Sequence, residues 1–116
     1  MHPMHPMHPI ATTPSPPYYA VIFTSLKSPG DDGYSQMADR MVELVEHQEG
    51  FLGFESAREE LGITVSYWKD EASIKRWKAH VEHREAQKTG KSKWYEAYTI
   101  RIAKVEREYS LAPRGS

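Results

Sequence analysis

Between residues 18 and 109 the apolar positions fall into blocks of two kinds, dense short runs and longer stretches with helical spacing. The first block, YYAVIFTSL at 18–26, is almost continuous in aromatic and β-branched residues and stops at the turn-forming KSPGDDG, which predicts a strand buried on both faces. In the next block Tyr34, Met37, Ala38, Met41, Leu44 and Val45 recur at helical spacing with charges between them, so an amphipathic helix is predicted. Asp31 or Asp32 is expected to cap its start, and Gly50 stands where a left-handed glycine closes a helix. FLGFESAREE and GITVSYW read as two strands joined through residues 59–62. A second helical pattern runs through KDEASIKRWKAHVEHREAQKTG, with Asp70 as its expected cap and Gly90 at its end. The last block, WYEAYTIRIAKVEREYS, alternates over a length that predicts a strand of about ten residues or more.

The order β-α-β-β-α-β is that of the ferredoxin-like split βαβ fold. It is an α+β architecture with a four-stranded antiparallel sheet and both helices on one face. On the last strand one side carries Tyr98, Ile100 and Ile102, and the other Ala97, Thr99, Ala103 and Val105. Neither is a polar face, although the helices cover only one side of the sheet. The uncovered side is therefore expected to meet a second copy of the chain, giving a homodimer packed sheet to sheet through its open face.

Composition narrows the picture. The chain has 116 residues, enough for one domain, and a net charge of −1, which gives no electrostatic footprint for nucleic acid. No run of about 18 apolar residues is present to span a membrane, and no continuous apolar core of a secretory signal stands at the start. With no cysteine, disulfides, thiolate metal sites and cysteine nucleophiles are excluded, and the cytoplasm is the expected location. The opening MHPMHPMHPIATTPSPP would align His2, His5 and His8 along one edge of a polyproline helix. Residues 1–17 are expected to be a disordered Met-His-Pro and proline-rich tail, and 110–116, ending in the protease-site-like LAPRGS, a second one. The folded domain is expected over 18–109.

The chemistry-bearing residues concentrate in WKAHVEHREAQKTGKSKWYEAY. On an ideal helix through Trp77, His80, Arg84 and Gln87 lie within about 80° of Trp77, and His83 lies roughly 120° away. Helical phase thus turns His80, Arg84 and Gln87 toward a cavity between helix and sheet. Each also has a plain structural reading: Trp77 as a core plug, a flanking histidine bonded to a backbone carbonyl. The spacing His-x-x-His lacks a convincing third metal ligand, so no metal site is expected, and no phosphate loop, dinucleotide fingerprint or Ser-His-Asp arrangement is present.

Gly50-Phe51-Leu52-Gly53-Phe54-Glu55-Ser56, then Val65-Ser66-Tyr67-Trp68, then Trp77 followed by His83, Ala86, Gly90, Trp94 and Tyr95 resemble the antibiotic-biosynthesis monooxygenase (ABM) domain family, and most of all its small stand-alone bacterial members. The resemblance covers about 18–109. It implies a ferredoxin-like fold, a dimeric α/β barrel made from two sheets, and a cleft between sheet and helices in each subunit. Some members oxidise polycyclic aromatic compounds with O₂ and no metal or flavin, others cleave haem, and many have no demonstrated activity. The haem-cleaving members carry an Asn on the first strand and a Trp and a His ten residues apart on the second helix. Here Ser25 falls near the Asn position and Gln87 replaces the His, so haem is disfavoured as a cofactor.

Cofactor-free oxygenation requires an aromatic cleft and a base that deprotonates the substrate away from water. Phe23, Trp68, Trp77 and Tyr98 are candidate walls for a small aromatic ligand, with Arg84 and Gln87 beside them. The base is His83 by the family pattern or His80 by helical phase, and a helix break near Ala79 would decide between them. Three functions follow: a cofactor-independent monooxygenase, a non-catalytic dimeric module that binds a small molecule or serves a stress response, or a haem-binding or haem-degrading protein.

Overall fold

The computed structural model describes residues 10–30, 33–87 and 94–111, the side chains of 83–87 excepted. Four strands and two helices alternate as β1 Tyr18–Lys27, α1 Tyr34–Val45, β2 Phe51–Arg58, β3 Leu61–Trp68, α2 Glu71–Gln87 and β4 Tyr95–Val105. They form one antiparallel sheet in the order β2-β3-β1-β4, the ferredoxin-like arrangement expected from the sequence.

Register assigns the faces. Tyr19 lies opposite Trp68, Val21 opposite Ser66, and Phe23 opposite Thr64. Because side chains alternate along a strand, Tyr19, Val21, Phe23 and Ser25 share the helix side, and Tyr18, Ala20, Ile22, Thr24 and Leu26 the other. The core sits on the helix side around Trp68, Ile74 and Val45, with Tyr19, Val21, Phe51 and Trp77 packed against it. The helices do not reach the far edge of this side: Tyr98, Ile100 and Ile102 of β4 are each about half exposed.

The helix ends match the sequence in part. Asp70 Oδ1 accepts a hydrogen bond from the Ser73 N–H at 2.8 Å, the expected cap of α2. The Ser73 hydroxyl and N–H, in that order, hold the Asp70 carboxyl below its ordinary pKa. A depressed folded-state pKa means the cap contributes fully above the unfolded carboxylate's pKa and is lost as pH falls through the folded value. Asp70→Ala is therefore expected to lower the Tm at neutral pH, and melting curves of the two proteins should converge in acid. The cap of α1 differs from expectation. Its N-cap is Gly33 in the left-handed region, with no side-chain cap bond, while Asp31, Asp32 and Gly90 lie outside the described residues.

Gly50 does have a positive φ, 88°, but it follows the end of α1 by several residues and serves a different contact. A Cβ added there would lie 2.6 Å from the Ser73 Cβ, so the absent side chain lets α2 close onto the turn before β2. The Lys69 N–H bonds the Gly50 carbonyl at 2.8 Å in the same place. Gly50→Ala combines a disfavoured backbone with a clash and should cost about 2 kcal/mol or more, read by urea denaturation.

Residues 10–17, placed by their composition in a tail, lie against the open side of the sheet. The Ala11 N–H bonds Glu55 Oε2 at 2.9 Å, and the Thr13 hydroxyl bonds the Tyr18 hydroxyl at 3.0 Å. Tyr18 also donates to Glu108 in the segment after β4, and Tyr67 donates to Glu55 at 2.7 Å. Burial, then the Glu55 carboxylate, pushes the Tyr67 phenol up, and burial, then Glu108, does the same at Tyr18, so both stay neutral donors. Tyr18 and Ala20 are buried by this layer, whereas Leu26, Leu61 and Ile63 at the other end of the same face remain open. His2, His5 and His8 lie outside the described residues.

Candidate active site

Two aromatic groups occupy the helix side, and Phe23 stands between them. The first is a stack. The Trp68 ring meets Trp77 at 6.2 Å between centroids and 29° between planes, and the His80 imidazole continues it at 5.7 Å and 24° from Trp77. Trp68 is 0% exposed and its indole N–H bonds the Ser66 hydroxyl at 2.9 Å. It is the centre of the core and presents no free surface to a ligand, unlike the cleft wall expected of it. Trp77 and His80 are half-buried at the outer end of the stack.

The His80 Nε2 is buried and has no hydrogen-bond partner among the described residues. A buried ring nitrogen left unpaired costs free energy comparable to a lost hydrogen bond, and such orphans concentrate where a ligand completes the pairing. The helix that carries it is unbroken from Glu71 to Gln87. No break at Ala79 interrupts it between Trp77 and His80. The side chains of His83, Arg84 and Gln87 lie outside the described residues.

The second group lies further along β1. Phe23 meets Tyr95 edge-on at 5.3 Å and Tyr98 at 5.3 Å, and Tyr95 meets Tyr34 of α1 at 5.8 Å. Phe23 and Tyr98 were expected in the site, whereas Tyr34 and Tyr95 were not. Tyr34 reads as one apolar position of a helix stripe and Tyr95 as the first residue of a strand, and only the closing of α1 over the sheet brings them together.

Connectivity links the groups. α2 leaves the sheet beside Trp68, and β4 starts opposite Lys27, at the other end of β1. α2 therefore runs along β1 from the Trp68 end toward the Phe23 and Ser25 end. His80, nine residues into the helix, has advanced about 13 Å, and Phe23, four residues past Tyr19, has advanced about 13 Å along its strand. Helix rise and strand rise thus carry the two residues a similar distance from the Trp68 end. Beyond Phe23, Ser25 is 2% exposed and accepts a hydrogen bond from Arg58 Nη2. Ser25, near the position of the haem-cleaving members' Asn, is thus already engaged within the protein.

No group of three or more His, Asp or Glu among the described residues is arranged to hold a metal ion. No helix among them is long and apolar enough to cross a membrane.

A four-stranded antiparallel sheet in the order β-α-β-β-α-β defines the ferredoxin-like class of α+β domains. The family described as antibiotic biosynthesis monooxygenase matches residues 17–89, and the chain belongs to it. A Bacillus subtilis protein, called uncharacterized protein YqjZ, is 54% identical over 101 residues, covering 85% of this chain and 89% of that one. A Pyricularia oryzae protein called jasmonate monooxygenase ABM is 29% identical over 92 residues, 75% of this chain but only 43% of that longer protein. Among solved structures, PA3566 from Pseudomonas aeruginosa superposes with a TM-score of 0.61 at 17% identity, over 83% of this chain and 99% of that one. SO0527 from Shewanella oneidensis does so at 0.63 and 10%, over 83% and 97%. At such identities the structural likeness speaks for the fold alone.

Proposed function

We propose that this protein is a monooxygenase-type enzyme that oxidises a small aromatic compound with O₂, without a bound metal or flavin, and that His80 is its base. The observation that carries the reading is the His80 Nε2, buried and without a partner among the described residues, at the outer end of the Trp68–Trp77 stack on an unbroken helix. Family membership and the relative called a jasmonate monooxygenase support it.

In this reading the substrate lies against Phe23 and Tyr98 with an acidic C–H at His80. The imidazole takes the proton, and the resulting carbanion is delocalised into the aromatic system. It passes one electron to O₂, and recombination of the radical pair forms a C–O bond. The imidazolium returns the proton to the peroxide. Loss of water then leaves a carbonyl: a CH₂ carbon and O₂ become C=O and H₂O, so the substrate itself supplies all the electrons. Shielding by the rings keeps bulk water from the carbanion before oxygen arrives. Anthrone is a suitable probe, since its central CH₂ would become the carbonyl of anthraquinone. Oxygen uptake on adding anthrone to the protein in air, above the rate of anthrone alone, is the expected result. No acceleration, with saturable binding intact, would favour the non-catalytic binding module.

The homodimer is part of the same proposal. Residues 10–17 occupy one end of the open face, which leaves Leu26, Leu61 and Ile63, 41%, 50% and 40% exposed, as the apolar end for a second copy. A shallow depression of about 170 Å³ lined by Thr24, Ser25, Leu26, Leu61, Ala97, Tyr98 and Thr99 adjoins them. Light scattering should give twice the 13.4 kDa chain mass, and Ile63→Glu should shift it to the monomer.

A further inference from the structure

One row of residues crosses the whole sheet on the helix side. Arg58 of β2 lies opposite Gly62 of β3, Gly62 opposite Ser25 of β1, and Ser25 opposite Tyr98 of β4. The Arg58 side chain lies along this row and reaches Ser25 across the glycine, where Nη2 donates to the hydroxyl. Gly62 makes the path possible: a Cβ there would stand 2.6 Å from Arg58 Nε, on the guanidinium itself. The Tyr34 ring covers the group from α1, 5.9 Å from the guanidinium carbon. In the adjoining row the Ser56 and Thr64 hydroxyls bond each other at 2.8 Å, so the β2–β3 part of this end is polar, beside the aromatic group around Phe23.

The guanidinium so held is not neutralised. The ion pairs among the described residues are Arg76–Glu49 and Lys78–Glu82, and neither involves Arg58. Its Nη1 is buried and has no hydrogen-bond partner among the described residues. A second cation is close, with Lys27 Nζ 5.1 Å from the centre of the same Tyr34 ring. Burying an unpaired charge is costly, and a guanidinium fixed by one arm with the other unsatisfied is the half-filled form of a carboxylate site. Ser25 completes the pair chemically. Its oxygen accepts from Arg58, which leaves its own O–H proton to donate to a second anionic oxygen.

We infer that Arg58 and Ser25 form the anion-binding end of the aromatic cleft, and that the substrate is an organic carboxylate whose apolar or aromatic body lies against Phe23, Tyr95 and Tyr98. This names the substrate class for the site proposed above and rests on that reading for the word substrate; the binding itself does not depend on oxygen chemistry. The carboxylate would take one oxygen to Arg58 Nη1 and the other to the Ser25 hydroxyl. The ring edge-to-face contacts around Phe23 would hold the body and set its reach back toward His80.

Titration calorimetry of the whole chain with 2-naphthoate and with its neutral counterpart 2-naphthylmethanol, without turnover, tests this. The wild type should bind naphthoate at least about tenfold more tightly than the alcohol. Arg58→Gln should bring the two affinities within about twofold. Gly62→Ala, which keeps the charge but denies the guanidinium its place, should weaken the preference too, and it keeps the test open if Arg58→Gln does not fold. Equal affinities in the wild type, no naphthoate binding up to about 10 mM, or a preference that survives Arg58→Gln or Gly62→Ala would each overturn the inference. Absence of anthrone oxidation by the wild type, with its naphthoate preference intact, would instead overturn only the oxygenase reading.

Discussion

Trp68→Ala is expected to remove about 3–5 kcal/mol of folding stability. The indole is fully buried, packs edge-on against Phe51 at 5.3 Å and face to face with Trp77, and joins β3 to both neighbouring strands and to α2. Its loss leaves a cavity where Val45 of α1, Ile74 of α2 and the sheet meet. The Ser66 hydroxyl loses its indole donor as well. For a domain of this size the loss corresponds to a fall in Tm of roughly 12 °C or more. Trp68→Phe keeps a ring against Phe51 and Trp77 and should cost clearly less. Guanidinium denaturation followed by circular dichroism measures both. A Trp68→Ala protein as stable as wild type would place the core elsewhere.

His80→Ala has the largest expected effect on activity. A general base contributes on the order of 10²–10⁴-fold, and the variant should lose that much of the anthrone oxidation rate. Stability should change little by comparison, because the imidazole contributes one stacked face on Trp77, worth about 0.5–1.5 kcal/mol. His80→Phe preserves the stack without a basic nitrogen, so it should melt near wild type and be as inactive as alanine. Added imidazole should partly restore the rate of the alanine variant, which leaves room for it, and not that of the phenylalanine variant. A structural histidine would give the opposite order: alanine unstable, phenylalanine active.

The fold was legible because each element carries its own periodicity. Tyr34 to Val45 shows one apolar stripe, Tyr18 to Leu26 a dense β-branched run, and Asp70 caps α2 as its side chain dictates. What escaped were features that depend on which strands become neighbours. Arg58 stands at the end of a strand beside the Glu59-Glu60 turn and reads as a solvated charge. Only the pairing of β2 with β3 and of β3 with β1 sets Gly62 beneath its guanidinium and Ser25 at its tip. Gly50 signals a positive φ correctly, but the contact that requires it, with Ser73, comes from a distant segment. Ala11 and Thr13 sit in a Pro-rich composition typical of tails, and nothing local reveals Glu55 and Tyr18 as their partners. In the site, helical phase pointed to His80, and α2 is unbroken between Trp77 and His80. Trp68 shows the limit of residue type as a guide, since an aromatic in a strand serves a core as readily as a cleft.

The most direct test of the account is anthrone oxidation under ¹⁸O₂ with no reductant, metal or flavin added, followed by mass spectrometry of the product. The account predicts anthraquinone carrying one labelled oxygen, one O₂ consumed per product, and loss of this reaction in His80→Ala. Unlabelled product, a dependence on added metal or flavin, or undiminished rates in His80→Ala would contradict it.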